Sequence, residues 1–408
     1  MTLKESPRSN TPTVSCYAQS PIHHFANPRA ERCPWPPRLD HVLDEALIAQ
    51  AGHEIRKWPA YSATPIRELD ALARTLGIAR ILYKDESERF GLGSFKALGG
   101  AYAVLRLLMN ETGLCADEIR GGGHRERLSR ITVVTATDGN HGRSVAWGAQ
   151  TFGCACRIYI HQGVSTYRED AMRILGADVV RVDGNYDESV RRAAEDSLAN
   201  GWFVVSDTSW HGYTEIPRYV MAGYALMIDE VLDALGDACP THVVVQGGVG
   251  GLAASVAARL WMRYGEARPT IVVVEPDRAD CLYQTAMNAA PVAIDIVEET
   301  LMAGLSCGEV SLLAWAVLET GADHFLTITD DHVAQAMKDL GAACFSDARI
   351  VAGESAVAGL CGLIQCAIDE TLARVIGLDA ESAVLLLGTE GATDPAIYRS
   401  LTGLSATP

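Results

Sequence analysis

Residues 81–102 read Ile81-Leu82-Tyr83-Lys84-Asp85-Glu86-Ser87-Glu88-Arg89-Phe90-Gly91-Leu92-Gly93-Ser94-Phe95-Lys96-Ala97-Leu98-Gly99-Gly100-Ala101-Tyr102, and the fold turns on them. The run Ile81–Tyr83 has the branched and aromatic character of a strand. A polar, glycine-containing turn follows, and Lys96 opens an amphipathic helix. A helix N-terminus carries partial positive charge and free N–H groups, which disfavours a protonated ammonium. A lysine placed there is a candidate amine nucleophile for a carbonyl compound, the plainer alternative being a solvated lysine.

A second strand-to-helix switch holds Gln246-Gly247-Gly248-Val249-Gly250-Gly251-Leu252. Four glycines in five positions let the backbone approach an anion closely, and the helix dipole favours a phosphate there. Gly248-x-Gly250-x-x-Ala253 also fits a dinucleotide fingerprint, with Glu275 closing the next strand as a ribose-binding acid would. That reading describes a nicotinamide-dependent oxidoreductase, but it leaves Lys96 without a task.

A third switch carries Thr135-Ala136-Thr137-Asp138-Gly139-Asn140-His141-Gly142-Arg143. Thr137, Asn140 and the loop N–H groups suit a carboxylate or phenolate, while Asp138 and His141 are groups for proton transfer. An Asp-Gly-Asn turn with a capping role is the bland alternative.

Outward from these motifs, short apolar runs recur at Ile131–Ala136, Ala155–Ile160, Val179–Val182, Phe203–Ser206, His242–Gln246, Thr270–Glu275 and Ala383–Gly388. Strands apolar on both faces belong in a parallel sheet covered by helices. Helical stretches such as Tyr186–Asn200 and Gly251–Tyr264 have crossover length, and another helical pattern spans Asp40–Lys57. The chain is read as α/β with doubly wound open sheets. Residues 1–39, rich in Pro, Ser, Asn and Arg, are expected to form an irregular arm laid over the body or over a partner subunit.

The 408 residues carry a net charge of −17, which argues against nucleic acid or anionic membrane as a partner. No apolar run reaches the roughly 18 residues of a membrane span, and the first residues lack a signal-peptide core. Eleven scattered cysteines without a Cys-x-x-Cys pair predict a cytoplasmic protein with reduced thiols and no metal site.

The three loops together suit pyridoxal 5′-phosphate: an aldehyde for Lys96, a ring hydroxyl for Asn140 and a phosphate for Gly247, Gly248, Val249, Gly250 and Gly251. Their order and spacing resemble those of fold-type II pyridoxal-phosphate enzymes, the threonine dehydratase and tryptophan synthase β group, over roughly residues 60–400. Within that group the chain is most similar to the diaminopropionate ammonia-lyases. Asp138 stands where ordinary dehydratases carry Ser or Ala. Further matching strings are Lys84-Asp85-Glu86-Ser87-x-Arg89-Phe90-Gly91, Asp207-Thr208-Ser209-Trp210-x-Gly212-Tyr213 and Met302-Ala303-Gly304-Leu305-x-Cys307-Gly308-Glu309. Glu275-Pro276-Asp277-x-Ala279-Asp280-Cys281 and Thr389-Glu390-Gly391-x-Thr393-Asp394 match as well. Gly93-Ser94 replaces an Asn-Ala of well-known members, and His211 stands in place of their Glu.

The resemblance implies two lobes with the cofactor in the cleft between them. Residues 40–97 plus 218–408 would form the large cofactor-binding domain and 98–217 a small mobile one, in a homodimer. It implies a Schiff base on Lys96, removal of the Cα proton, loss of the β-amino group and release of an aminoacrylate that hydrolyses to pyruvate and ammonia. Asp138 would take the proton of a D-substrate on the face opposite Lys96, with Lys96 serving the L-form. Asp207 would hold the β-ammonium, unless it merely caps a helix. Phe95 or Ala136 would pack on the ring, unless either is plain core, and Thr389 would meet the pyridine nitrogen. Ser94, Thr137, Asp138, His141 and Tyr213 would line the substrate. Cys281 and Cys307 occupy loops where relatives can form a disulfide, reduced thiols being the default; Glu354 would support the cofactor region or sit in a structural ion pair. The same-class alternative is a dehydratase or β-lyase on another 3-substituted alanine such as serine, threonine or 3-hydroxyaspartate.

Overall fold

The architecture follows from strands whose alternate residues are apolar on both faces. The computed structural model describes residues 14–137, 139–346 and 348–407. In chain order the strands are β1 (Ile22–Ala26), β2 (Ile66–Glu68), β3 (Arg80–Asp85), β4 (Thr132–Ala136), β5 (Ala155–His161) and β6 (Asp178–Val182). They continue as β7 (Phe203–Val204), β8 (His242–Gln246), β9 (Thr270–Pro276), β10 (His324–Ile328) and β11 (Ala383–Gly388). They form a seven-stranded sheet, ordered β1-β10-β9-β8-β11-β3-β2, and a four-stranded sheet, β6-β5-β4-β7. The five inner strands of the large sheet run parallel, and β1 and β2 close its edges antiparallel. The small sheet is parallel throughout.

Both faces of the large sheet are covered. Val243, Val245, Ile271, Val273 and Leu385 belong to one apolar cluster, while Val244, Val272, Val274, Val384 and Leu386 belong to the other. Continuous branched runs such as His242–Gln246, buried at every position, are what such a sheet requires.

Register sets the site. Leu387 and Gly388 of β11 lie beside Lys84 and Asp85 of β3. The loop leaving β3 then stays stitched to the exit of β11: Glu86 N–H donates to Gly388 O at 2.8 Å and Phe95 N–H to Thr389 O at 3.0 Å. The loops after β8, β11 and β3, neighbours in the sheet, therefore open side by side at the carboxyl ends of parallel strands, where open α/β sheets bind ligands. In the small sheet β4 and β7 are neighbours, so the loop of Asn140 lies next to that of Asp207.

The helix Lys96–Thr112 packs between Asn140–Phe152 and Glu215–Leu235. Bare backbone at two positions allows the approach: a Cβ on Gly100 would run into the Ser144 hydroxyl, and one on Gly223 into the Leu98 carbonyl. Beneath its start lies a buried charge quartet. Lys84 Nζ donates to Glu230 Oε2 at 2.6 Å, and Arg89 donates to both Glu86 and Glu230 at 2.7–2.8 Å. Two cations and two anions cancel, so none is left uncompensated in the interior.

Several expectations change in detail. The arm over residues 1–39 is not wholly irregular, because Ile22–Ala26 pairs antiparallel with β10 as an edge strand. The expected strand Phe203–Ser206 stops at Val204, and the helix expected over Asp40–Lys57 spans Glu45–Ile55, capped by Asp44 accepting from Leu47 N–H. Strands β1, β2 and β10 carried no expectation.

Candidate active site

Lys96 is the first residue of its helix, and its ammonium donates to Asp207 Oδ2 at 2.6 Å. Burial works against the charge, but the Asp207 carboxylate outweighs it and holds the ammonium above the ordinary lysine value. That pair works against the helix N-terminus, which disfavours an ammonium, so Lys96 becomes available as a nucleophile once the pair separates. Burial also pushes the Asp207 carboxyl up, while Lys96 and His141 together bring it below the usual carboxylate range. Asp207 caps no helix, since the next one begins at Glu215.

His141 Nε2 lies 2.9 Å from Val205 O, and a carbonyl only accepts, so that nitrogen carries the proton. Its Nδ1 faces Asp207 Oδ2 at 3.7 Å and has no hydrogen-bond partner among the described residues. Thr137 Oγ1 accepts from Gly139 N–H at 3.1 Å and Gly142 N–H at 3.2 Å, which shapes the turn presenting Asn140 and His141. Asn140 Nδ2 donates to Glu390 Oε2. Asp138 lies outside the described residues.

The glycine loop reaches the same place. Gly248 and Gly250 have φ of +69° and +93°, the left-handed region that glycine tolerates. Among the described residues the N–H groups of Gly248, Val249, Gly250 and Gly251 donate to no protein acceptor, and the helix Gly251–Tyr264 begins there. Gly247 N–H alone is taken, by Val274 O at 2.8 Å. A Cβ on Gly251 would stand 3.7 Å from Asp207 O, and one on Gly248 3.6 Å from Cys307 Sγ. Unpaired N–H groups at a helix start, beside a lysine, suit a phosphate carried by an aldehyde-bearing ring.

The dinucleotide reading fails on Glu275. That carboxyl is buried beneath the loop, accepting from Leu282 N–H at 3.1 Å and Tyr283 N–H at 2.7 Å. Burial, partly offset by those two N–H groups, pushes it up to about 8. It braces the helix Cys281–Asn288 and presents nothing to a ribose.

Other expected residues take their places unevenly. Thr389 is buried, and its carbonyl accepts from Phe95 N–H in the Lys96 loop. Ser94 is buried and pairs through its backbone with Glu390. Phe95 packs on Tyr224 with ring centroids 4.7 Å apart, and Lys96 Nζ lies 5.5 Å from its ring. Tyr213 was expected at the substrate, but its hydroxyl accepts from Ser206 N–H and donates to Val204 O, with its ring stacked on Trp210 at 4.1 Å. It braces its loop. No disulfide joins Cys281 to Cys307; Cys281 Sγ donates toward Gly248 O at 3.6 Å, and burial pushes its thiol up. Glu354 pairs with Arg168 at 2.8 Å.

Two neighbours of the site escaped the sequence reading. Tyr224, on the long helix Glu215–Leu235, sets its ring 5.9 Å from Lys96 Nζ, and its buried hydroxyl has no hydrogen-bond partner among the described residues. Glu390 was quoted only as part of a string, yet it holds Asn140. Tyr224 is one of many buried residues on its helix, and no local signal distinguishes it.

Residues 57–386 match the family described as pyridoxal-phosphate dependent enzyme. The chain is 39% identical over 363 residues to a diaminopropionate ammonia-lyase of Escherichia coli strain K12, covering 88% of this chain and 91% of that one. It is 37% identical to the Salmonella typhimurium protein of the same name, covering 87% and 92%. A crystal structure of the Escherichia coli diaminopropionate ammonia lyase, in complex with an aminoacrylate-PLP azomethine reaction intermediate, superposes with a TM-score of 0.85 at 36% identity, covering 94% of this chain and 97% of that one. The glycine cradle, the lysine and the asparagine loop meet in one place, and the matches span nearly the whole chain: it belongs to the pyridoxal-phosphate dependent enzymes, in their fold-type II branch, with pyridoxal 5′-phosphate as its cofactor.

Proposed function

We propose that this chain eliminates ammonia from 2,3-diaminopropionate, and that the product is hydrolysed to pyruvate and a second ammonia. The observation that carries the reading is the Lys96–Asp207 pair, 2.6 Å long and flanked by the open N–H groups of Gly248–Gly251. Relatives of that name at 37–39% identity support the same substrate.

Pyridoxal phosphate supplies the electron sink that makes a Cα proton removable. The residues of the chain do the rest. The loop Gly247–Gly251 would hold the phosphate, Asn140 the ring hydroxyl, Thr389 the pyridine nitrogen and Lys96 the aldehyde. Lys96 also carries a proton at Nζ. Asp207, kept ionised, offers a negative charge to a substrate that carries two amines. An amine leaves only when protonated, so an acid near Cβ has a reason to be there, and Lys96 Nζ and His141 are the proton carriers beside Asp207. Ser94, Thr137 and His141 shape the substrate's surroundings. Asp138 is the base for the D-enantiomer and Lys96 for the L-enantiomer.

The reading takes the chain as a cytoplasmic homodimer acting on a small amino acid, with residues 98–217 as the lobe that closes over the site. The charge of −17 supports a partner list without nucleic acid or anionic membrane.

Asp138→Asn tests the two-base arrangement. Turnover of D-diaminopropionate should fall by roughly 10²–10⁴-fold while that of the L-form persists. Equal losses for the two enantiomers would refute the assignment.

A further inference from the structure

Three polar contacts join the loops of the small sheet to acids near the end of the chain. Asn140 Nδ2 donates to Glu390 Oε2, Ser165 Oγ to Asp394 Oδ2 at 2.8 Å, and Arg168 Nη2 to Glu354 Oε1 at 2.8 Å. Each donor follows β4 or β5, and each acceptor lies in the segment 354–394.

Glu390 is the most constrained of these acids. It is 5% exposed, and both oxygens are occupied: Oε1 takes Ser355 N–H at 3.0 Å and Oε2 takes Asn140. Its backbone carbonyl accepts from Gly353 N–H at 3.0 Å, and its strand-like pairing with Ser94 ties it to the lysine loop. A carboxylate offers acceptors only, so Asn140 must turn its NH2 group toward it. The flipped amide would set an oxygen against a buried negative charge, which is strongly disfavoured. Asn140 thus has one orientation, fixed by a residue 250 positions away in sequence.

We propose that Glu390 is a positioning residue for the cofactor: it orients the Asn140 amide so that its second N–H faces the ring hydroxyl of pyridoxal phosphate. This rests on the reading that Asn140 holds that hydroxyl. Glu390 touches Asn140 and not the ligand, so its influence passes through the amide. The Thr389 hydroxyl, one residue before it, is carried by the same rigid exit from β11.

A double-mutant cycle on the holoenzyme tests this. Pyridoxal phosphate affinity and the absorption spectrum of the bound cofactor across pH are measured for wild type, Glu390→Gln, Asn140→Ala and the double variant. Glu390→Gln should weaken cofactor binding about tenfold and shift the pH at which the spectrum changes; in the Asn140→Ala background it should add less than about twofold. Equal factors in both backgrounds would overturn the proposal, since a merely structural Glu390 would act independently of Asn140. Glu390→Asp provides a second variant that keeps the charge and withdraws it from Asn140. It too should weaken binding, and unchanged affinity would contradict the proposal. Wild-type protein that binds no pyridoxal phosphate would instead defeat the reading of the site itself, a result distinguishable from additive variants of a protein that does bind.

Discussion

Two lysines of this chain each lie 2.6 Å from a carboxylate, in opposite surroundings. Lys84 is sealed, 1% exposed against a Glu230 that is 2% exposed, with Thr64 O as a second acceptor at 2.7 Å and Arg89 and Glu86 completing a balanced quartet. Lys96 and Asp207 are 21% and 17% exposed, and around them stand groups without a hydrogen-bond partner among the described residues: His141 Nδ1, the Tyr224 hydroxyl and the N–H groups of Gly248–Gly251. Distance does not separate a structural ion pair from a reactive one. Saturation of the surroundings does, because unpaired polar groups near a charge are held in place for a ligand.

The sharpest way to break the comparison is to remove each lysine's function in turn. Lys96→Ala should lower turnover by about 10⁴-fold or more while the protein stays folded, as steady-state rates and a thermal melt would show. Loss of the fold along with activity would place Lys96 with Lys84, on the structural side. Conversely, Glu230→Ala leaves Lys84 and Arg89 facing a single carboxylate and should cost about 3–5 kcal/mol in denaturant unfolding. Its turnover per folded molecule should stay within about twofold of wild type.

Asp207→Asn sharpens the contrast. It keeps the shape and a hydrogen bond for Lys96 but removes the negative charge, so kcat should drop by roughly 10²-fold with little change in stability. A change confined to KM would mean that Asp207 only binds substrate.

The smallest effect concerns Glu275, pushed up to about 8 by its burial. The unfolded carboxyl titrates near 4.5, so between these values the folded protein holds the extra proton. Stability should therefore fall as pH rises from 4.5 toward 8, by at most about 1.4 kcal/mol per pH unit. Glu275→Gln should flatten that slope in urea unfolding at pH 5, 6.5 and 8, whereas an unchanged slope would show that the carboxyl is ionised throughout.

The parts of this molecule legible in the sequence are those written locally. The inner strands show continuous apolar runs, and each chemical motif stands at a strand-to-helix switch, where glycines and a lysine are conspicuous. Three strands were missed because their pattern is mixed or short: Ile22-His23-His24-Phe25-Ala26 carries two histidines, Ile66-Arg67-Glu68 is three residues long, and His324-Phe325-Leu326-Thr327-Ile328 opens on a histidine and carries a threonine. The pairings that make the site work cross the chain. Asp207 meets Lys96 over 111 positions, Glu390 meets Asn140 over 250, and Glu230 meets Lys84 over 146. The register of β11 on β3, the adjacency of β4 and β7 and the packing of the helix Lys96–Thr112 on its two neighbours bring these groups together, and none of them is written in a local pattern.

The central claim is that an unsaturated Lys96–Asp207 site serves a diamine. Its most direct test is pyruvate release from pyridoxal-phosphate-loaded protein given D- and L-2,3-diaminopropionate alongside L-serine and L-threonine. The account predicts rapid turnover of the diamine and slow reaction of the hydroxy amino acids, whose neutral β-substituent gains little from Asp207. Rapid release from serine or threonine, with the diamine inert, would contradict it.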